Sequence, residues 1–440
     1  MRALITILLT SMFAFAEWST DPATPLDLGT GIMPELAAAD NGDLYIAWLT
    51  DGDFKVYLQR LDASGIPQWA DGGILISDQP VDSWIAVFHL NLAVDGVGNA
   101  IITCIDIRSG SWDIYAYKVA PDGNQLWGEN GIALSSTGGT NMSPRLVTIP
   151  EDNSVVVTWC RDYSSLRYQR IAADGSLLWG ANGLAISDFG GDLMSPKPFI
   201  ANPGSVRVQF IRQTGSFPML DSEVKYQEYD LNGVALWPAI AVNTPTGFPM
   251  GNWAQDCEAD QLGGNYASWT ELSGANQTGK VQYLDENGAL NWGAPVEVSL
   301  NAINFRISPQ LALAGDSHSA YAVWRETDAG QTNRGIYGQL INPDGDRLWG
   351  NNGAPIENLG SSVFHDLIVS GTGNDLIVSY LVENSFGSFD IYGARLDDSG
   401  SFVWAGDIVS ISATGASKTD HTAKAGPGCT FVSWSESGAI

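Results

Sequence analysis

Three of the four histidines in this 440-residue chain fall at comparable places. His89, His365 and His421 stand at the head of short apolar-alternating runs, where other copies of the run carry Pro34, Pro144, Pro196 and Pro309. Imidazoles gathered at one point can bind a transition metal or respond to pH near neutrality. Shared coordination needs every donor within about 2 Å of the ion. Equivalent positions spread around a ring do not meet that demand, so the three read as polar lining of a channel mouth. His318, in the turn GDSHSA, reads as a surface residue.

A second set follows apolar runs that often end in Trp: Arg108, Arg161, Arg212, Glu271, Arg325, Glu326 and Glu383, with Asp51, Asp162 and Glu436. This face reads as a polar binding surface for a glycan or protein partner, and because the guanidinium fork matches a carboxylate, arginines offered to solvent would suit acidic sugars. Glycoside chemistry needs two carboxyls roughly 5–10 Å apart astride the bond, and Glu271, Glu326 and Glu383 are the candidates. Mixed signs at one level also predict lateral salt bridges between neighbouring loops. No G-x-S-x-G or H-E-x-x-H occurs, and Gly138-Gly139 lacks the strand-to-helix setting of a phosphate loop. Catalytic residues are therefore not assigned. Acidic turns such as Asp95–Asn99 and Asp122–Asn124 carry only part of a calcium ligand set and read first as turns, with calcium the one cofactor left open.

The elements that position these residues come from a repeat. ADGSLLWGANGLAIS (Ala173–Ser187) returns as PDGNQLWGENGIALS (Pro121–Ser135) and PDGDRLWGNNGAPIE (Pro343–Glu357), and looser copies place Trp69, Trp237, Trp292 and Trp404 at intervals of 52–58 residues. Each unit divides into four strands. Strand a often begins at Pro. Strand b is an apolar run such as Leu44–Trp48, Val155–Trp159 or Ala320–Trp324. Strand c alternates, as in Ile336–Asn342, and strand d carries the Gly-spaced Trp. Four short strands per unit of this length predict an all-β propeller with no long helix. The repeated Trp residues then read as packing between blades rather than as a platform for sugar rings.

Eight copies of strand a are visible, the last near His421, but the eighth unit stops after its strand b at Cys429–Gly438. Trp18 and Pro25–Leu28 match a strand d without partners, so the two ends predict one shared blade, closing eight blades with strand c of that blade missing or vestigial. A ring of seven with a stray hairpin is the alternative. Residues 1–16 read as a signal peptide, with Arg2, an apolar stretch and the small-x-small Ala14-Phe15-Ala16, leaving residues 17–440 as one domain with an incomplete last blade. The protein is thus expected to be secreted, periplasmic or displayed at the cell surface. A net charge of −28 disfavours nucleic acid and anionic membranes. The apolar leader is too short to span a bilayer, and a monomer is expected. Cys104, Cys160, Cys257 and Cys429 fit neither a zinc spacing nor a disulfide framework and are expected to be buried free thiols.

From Trp18 to Gly438 the units resemble secreted bacterial β-propeller repeats of the form W-x-D/E-x-R followed by IYAQRLD-x-x-G-x-x-L-W-G-x-N-G. They are similar also to the delta-60 bacterial repeat, with its D-G-S-L segment. The c–d turn resembles the Asp-box of sialidases, but Gly123 and Trp127 are separated by three residues rather than two, and Phe305-Arg-Ile307 ends in Ser308 where a sialidase has Pro. These resemblances imply the repeat type and no particular activity. Uniform repeats, missing catalytic motifs and a polar loop face favour an exported non-enzymatic binding scaffold. The alternative is a carbohydrate-active propeller, hydrolase or lyase, using carboxylates on the b–c loops.

Overall fold

The computed structural model describes residues 6–7, 18, 22–79, 89–136, 138–186, 190–216, 219–243, 255–274 and 276–437. These form eight antiparallel sheets, seven of four strands and one of three, and the helical content among them is a single 3-10 turn at Gly315–Ser317. The all-β propeller architecture follows. Sequential strands pair in order within each sheet: in the sixth, Phe305–Ala314, Ser319–Thr327, Arg334–Ile341 and Ala354–Gly360 serve as strands a to d.

Strand b is covered on both faces because each blade is flanked by two others. Leu44–Leu49 is buried at every residue, which is why this strand reads as a continuous apolar run instead of alternating. Its Trp anchors the core: Trp48, Trp159, Trp324 and Trp434 are at most 1% exposed.

The repeat signature is a latch between consecutive blades. The strand-d indole of one blade donates to a carbonyl in the c–d turn of the next: Trp127 to Ala173 at 3.2 Å, Trp292 to Pro343 at 2.9 Å and Trp349 to Asp398 at 2.8 Å. The Gly of that turn lies under the same ring. At Gly288 (φ +76°) a Cβ would come within 2.6 Å of Trp237. Gly288→Ala should therefore lower stability by about 2–3 kcal/mol, combining a left-handed backbone penalty with overpacking. Urea unfolding would read it, and a change under about 0.5 kcal/mol, typical of an ordinary surface site, would contradict the latch. None of the strand-d indoles is exposed. They are blade packing, not a sugar platform.

A buried Gln in strand c pins the same segment. Gln339 accepts from the Trp349 amide at 2.7 Å and donates to the Gly350 carbonyl at 2.8 Å, and Gln169 does the same for Trp179 and Gly180. The four cysteines are buried and unpaired.

The three-stranded sheet holds Ser417–Gly426, Cys429–Ser437 and Thr6–Ile7. The place expected to lack a third strand is thus taken by two residues of the stretch read as a leader, and the rest of that stretch lies outside the described residues. Trp18 donates to Ala63 of the first blade at 2.9 Å and meets Phe431 of the eighth sheet at 5.3 Å. Ser370 and Thr430 bond at 2.8 Å across the seventh and eighth sheets. The eighth sheet therefore sits between the seventh and the first, with Trp18 beside it, but Pro25–Leu28, expected as its strand d, pairs with no strand of that sheet.

Candidate functional site

Strand a begins with a bulge. Met33, Ser143, Ser195, Ser308, Asp366 and Asp420 each hold a left-handed φ of 43–56° at the point where pairing with strand b shifts, and His89 adopts the same conformation at 52°. Bulges re-aim side chains, here in six of the eight sheets. This corrects the alignment of the histidines. His365 precedes the left-handed residue, His89 is that residue, and only His421 follows it, where other blades carry Pro. The three do not form an equivalent set, and the described residues contain no cluster of metal-binding side chains.

His421 is buried and spent in the wall. Its Nδ1 lies 3.1 Å from the Asp366 carbonyl and its Nε2 2.9 Å from Ser379 Oγ, and burial pushes its pKa down to about 4. An unfolded chain takes up this proton near the usual 6.5, while the folded chain resists until about 4. Stability from this group is whole above pH 6.5 and falls between 6.5 and 4, by on the order of 3 kcal/mol. His421→Gln should flatten that part of a pH–Tm profile; an unchanged slope would contradict the assignment. His365 contacts Glu383 at 3.3 Å and Phe389 edge-on, and His89 is held below its usual range by burial and by Arg145.

The loop-face candidates are mostly spent in structural contacts. Arg108 pairs with Asp106 at 2.5 Å, bonds Tyr117 at 2.8 Å and lies over the Tyr115 ring. Arg161 contacts Asp162 and the Gly138 carbonyl, each at 3.3 Å. Arg212 pairs with Glu223 at 2.7 Å, and Glu271 lies 3.7 Å from Lys280. Glu326 is 2% exposed and accepts from Asn301, Asn304 and Trp324. Arg325 is half-buried, its pKa lowered by burial and partly restored by Asp366. These pairs form within a blade, not between neighbouring loops as the mixed signs suggested, because b and c are hydrogen-bonded neighbours and place their ends side by side. Glu271, Glu326 and Glu383 are engaged separately, in three different blades. The acidic turn at Asp95 is filled by Lys118 Nζ at 2.8 Å and by Asn99, so a cation is already in place.

The structure brings a different set together. One residue beyond the strand-a Pro, long polar side chains line the axis: Glu35, Arg145 and Lys197, with Asp256 at the matching register. Lys197 reaches Asp256 at 2.6 Å and the Cys257 carbonyl at 3.2 Å, and these attractions raise its pKa despite burial. Arg145, Lys197 and Asp256 share a cavity of about 210 Å³.

Two residues further along the strands the matching positions are apolar or small in most blades, for example Ala37, Val147, Phe199 and Ala312. The exceptions are Glu258 and Lys424, which line a second cavity of about 410 Å³ with Gln261 and Leu311–Leu313. Burial, offset by Lys197 and Lys424 and reinforced by Asp256, raises Glu258 to about 7. Burial likewise raises Glu35, against Arg145 and Lys424. Lys197 and Lys424 are exposed to solvent. A carboxyl that titrates near neutrality beside cations, in a ligand-sized cavity, can donate or accept a proton.

Sequence reasoning passed over this set because strand a was read for its apolar alternation. The signal was present as a long polar residue directly after Pro34, Pro144, Pro196 and Pro309.

No family model and no curated protein matches the chain. Solved structures similar to it include the Dos1 propeller (11% identity, 92% of this chain and 93% of that one, TM-score 0.49). Others are the polysaccharide lyase Uly1 (12%, 99% and 97%, 0.43) and the α-L-arabinanase of Penicillium chrysogenum in complex with arabinobiose (12%, 67% and 92%, 0.36). The expectation of a non-enzymatic protein is corrected here. Solved structures similar to this chain include an arabinanase and a polysaccharide lyase. At these identities the likeness concerns the fold, and the activities named are those of the other proteins.

Proposed function

We propose that the protein is an exported carbohydrate-active propeller whose working site is the axial channel rather than the b–c loop face. The observation that carries this reading is that strand-a side chains line two cavities, Arg145, Lys197 and Asp256 one of about 210 Å³ and Glu258 and Lys424 the other of about 410 Å³. Asp256 and Glu258 lie two residues apart on one strand, hence on the same face. Asp256 is occupied by Lys197, while Glu258 exchanges its proton near neutral pH and serves as the proton-donating or proton-accepting group. The resemblance of the repeats to secreted bacterial propellers supports export.

The test is a polysaccharide panel followed by viscosity and reducing-end release. At least one substrate should be shortened, and Glu258→Gln should slow that reaction by about 100-fold or more, as loss of a general acid–base does. A panel without cleavage or retention, or full activity in Glu258→Gln, would overturn the proposal.

A further inference from the structure

The smaller cavity, of about 210 Å³, holds a donor that the fold does not use. Gln209 lies in strand b of the fourth blade, directly opposite Lys197 and so on the same face of the sheet. It lines the cavity, is 2% exposed, and its Nε2 has no hydrogen-bond partner among the described residues. Buried amide donors are rarely left unpaired, because the water they lose is then not replaced. The matching strand-b position carries Ala, Ser, Thr or Val in the other seven sheets, as at Ala47, Thr158, Ser268 and Val323. Ser268 closes on the Pro309 carbonyl at 2.6 Å. The fourth blade alone places a long carboxamide there.

Arg145 lines the same cavity from the third blade. Its guanidinium donates to the carbonyl of its own neighbour, Pro144, at 2.9 Å and forms no ion pair among the described residues. Glu35 attracts it through space, but burial favours the neutral form of that carboxyl. The other two charges cancel. Lys197 is closed on Asp256 at 2.6 Å, and Asp256 is itself spent: Oδ1 also accepts from the Cys257 amide and Oδ2 from the Leu311 amide of the next blade, each at 2.9 Å. One uncompensated cation and one unpaired amide donor remain on the wall, beside the hydroxyls of Ser143 and Ser195. Water can satisfy the amide, but it supplies no counter-charge to a half-buried guanidinium.

We propose that this cavity binds one carboxylate, held jointly by the Arg145 guanidinium and the Gln209 carboxamide. A single uncompensated charge favours a singly charged group, and the guanidinium fork fits a planar carboxylate. At about 30 Å³ per water the space equals about seven waters, room for a ligand of sugar-acid size. The carboxylate of a uronate residue and that of a free hydroxy acid present the same group to these donors. The site goes beyond the proposed activity, since neither Arg145 nor Gln209 lines the cavity of Glu258.

Calorimetric titration at pH 7 tests this with galacturonate, oligogalacturonate and lactate, each beside its uncharged methyl ester, and with sulfate as a tetrahedral anion. At least one acid should bind more tightly than its ester by about tenfold or more, the worth of one charge-assisted bond. Oligogalacturonate as the tightest acid identifies a polysaccharide residue as the source, and a monomer equally tight identifies a free acid; both results support the site. Arg145→Gln should remove the preference for acid over ester, and Arg145→Lys should recover part of it. Gln209→Met, close in volume, should weaken the acid by about tenfold, and Gln209→Glu should abolish its binding through like charge. Melting curves check that each variant folds, and Gln209→Met carries the test if the buried Glu does not. Equal affinity for every acid and its ester, acid binding unchanged in Arg145→Gln or Gln209→Met, sulfate bound more tightly than every acid, or no binding by any probe overturns the inference. None of these results touches the carbohydrate reading, which stands or falls with the cleavage assay on Glu258→Gln.

Discussion

Replacing Trp324 by alanine is expected to destabilise the protein by about 3–5 kcal/mol, the range for emptying a large aromatic site in a core. The side chain is fully buried, stacks on Tyr337 at 6.1 Å and donates through Nε1 to Glu326 at 3.0 Å. Its ring also forms the floor on which Gly353 rests, where a Cβ would meet both the Gly338 carbonyl and the indole. The deletion therefore leaves a cavity and removes one of the donors satisfying a buried carboxylate. Trp324→Phe should cost less, since it refills most of the volume. Chemical denaturation reads both. A variant that kept its stability but lost carbohydrate binding would instead make this Trp part of the ligand site.

Arg207→Ala should cost a similar amount, about 3–5 kcal/mol, for an electrostatic reason. Arg207 and Glu228 are at most 1% exposed and pair at 2.6 Å, and the guanidinium also donates to Asn265 and to the carbonyls of Gly263 and Asp285. The truncation strands Glu228 as a buried charge held by Asn202 and Ser205. Joint replacement by Met at 207 and Leu at 228 should recover much of the loss, because removing both charges abolishes the desolvation penalty. If the double variant were as unstable as the single one, the loss would lie in packing rather than in an orphaned charge. Other blades join the same strand-c position to the a–b turn with the opposite polarity, as in Arg60 to Asp43 and Lys118 to Asp95.

Architecture was legible in the sequence because the repeat encodes contacts that recur. The Gly–Trp spacing reports the latch, and the second Gly of W-G-x-N-G reports the floor over the strand-b Trp, as at Gly183 above Trp159. The loop-face residues were legible only as charges. Whether Arg108 meets solvent or Asp106 is decided by cross-strand geometry that a one-dimensional pattern does not carry. The histidines misled for a related reason: a bulge of one residue shifts which side chain follows the left-handed position, and only pairing with strand b reveals it. The channel set is spread over four blades from Arg145 to Lys424, nearly 280 residues of chain. Ring closure, not sequence proximity, brings Lys424 into the electrostatic neighbourhood of Glu35.

The measurement that bears most directly on the channel as the working site compares two double variants for retention on, and cleavage of, the polysaccharide that the wild type prefers. One removes the channel cations, Arg145→Gln with Lys424→Gln; the other removes two loop-face cations already paired within their blades, Arg161→Gln with Arg212→Gln. The channel variant should lose about tenfold or more in affinity, while the loop variant should stay within about twofold, as loss of partly exposed ion pairs allows. The reverse pattern, with loop cations essential and channel cations dispensable, would return the site to the b–c face and contradict the account.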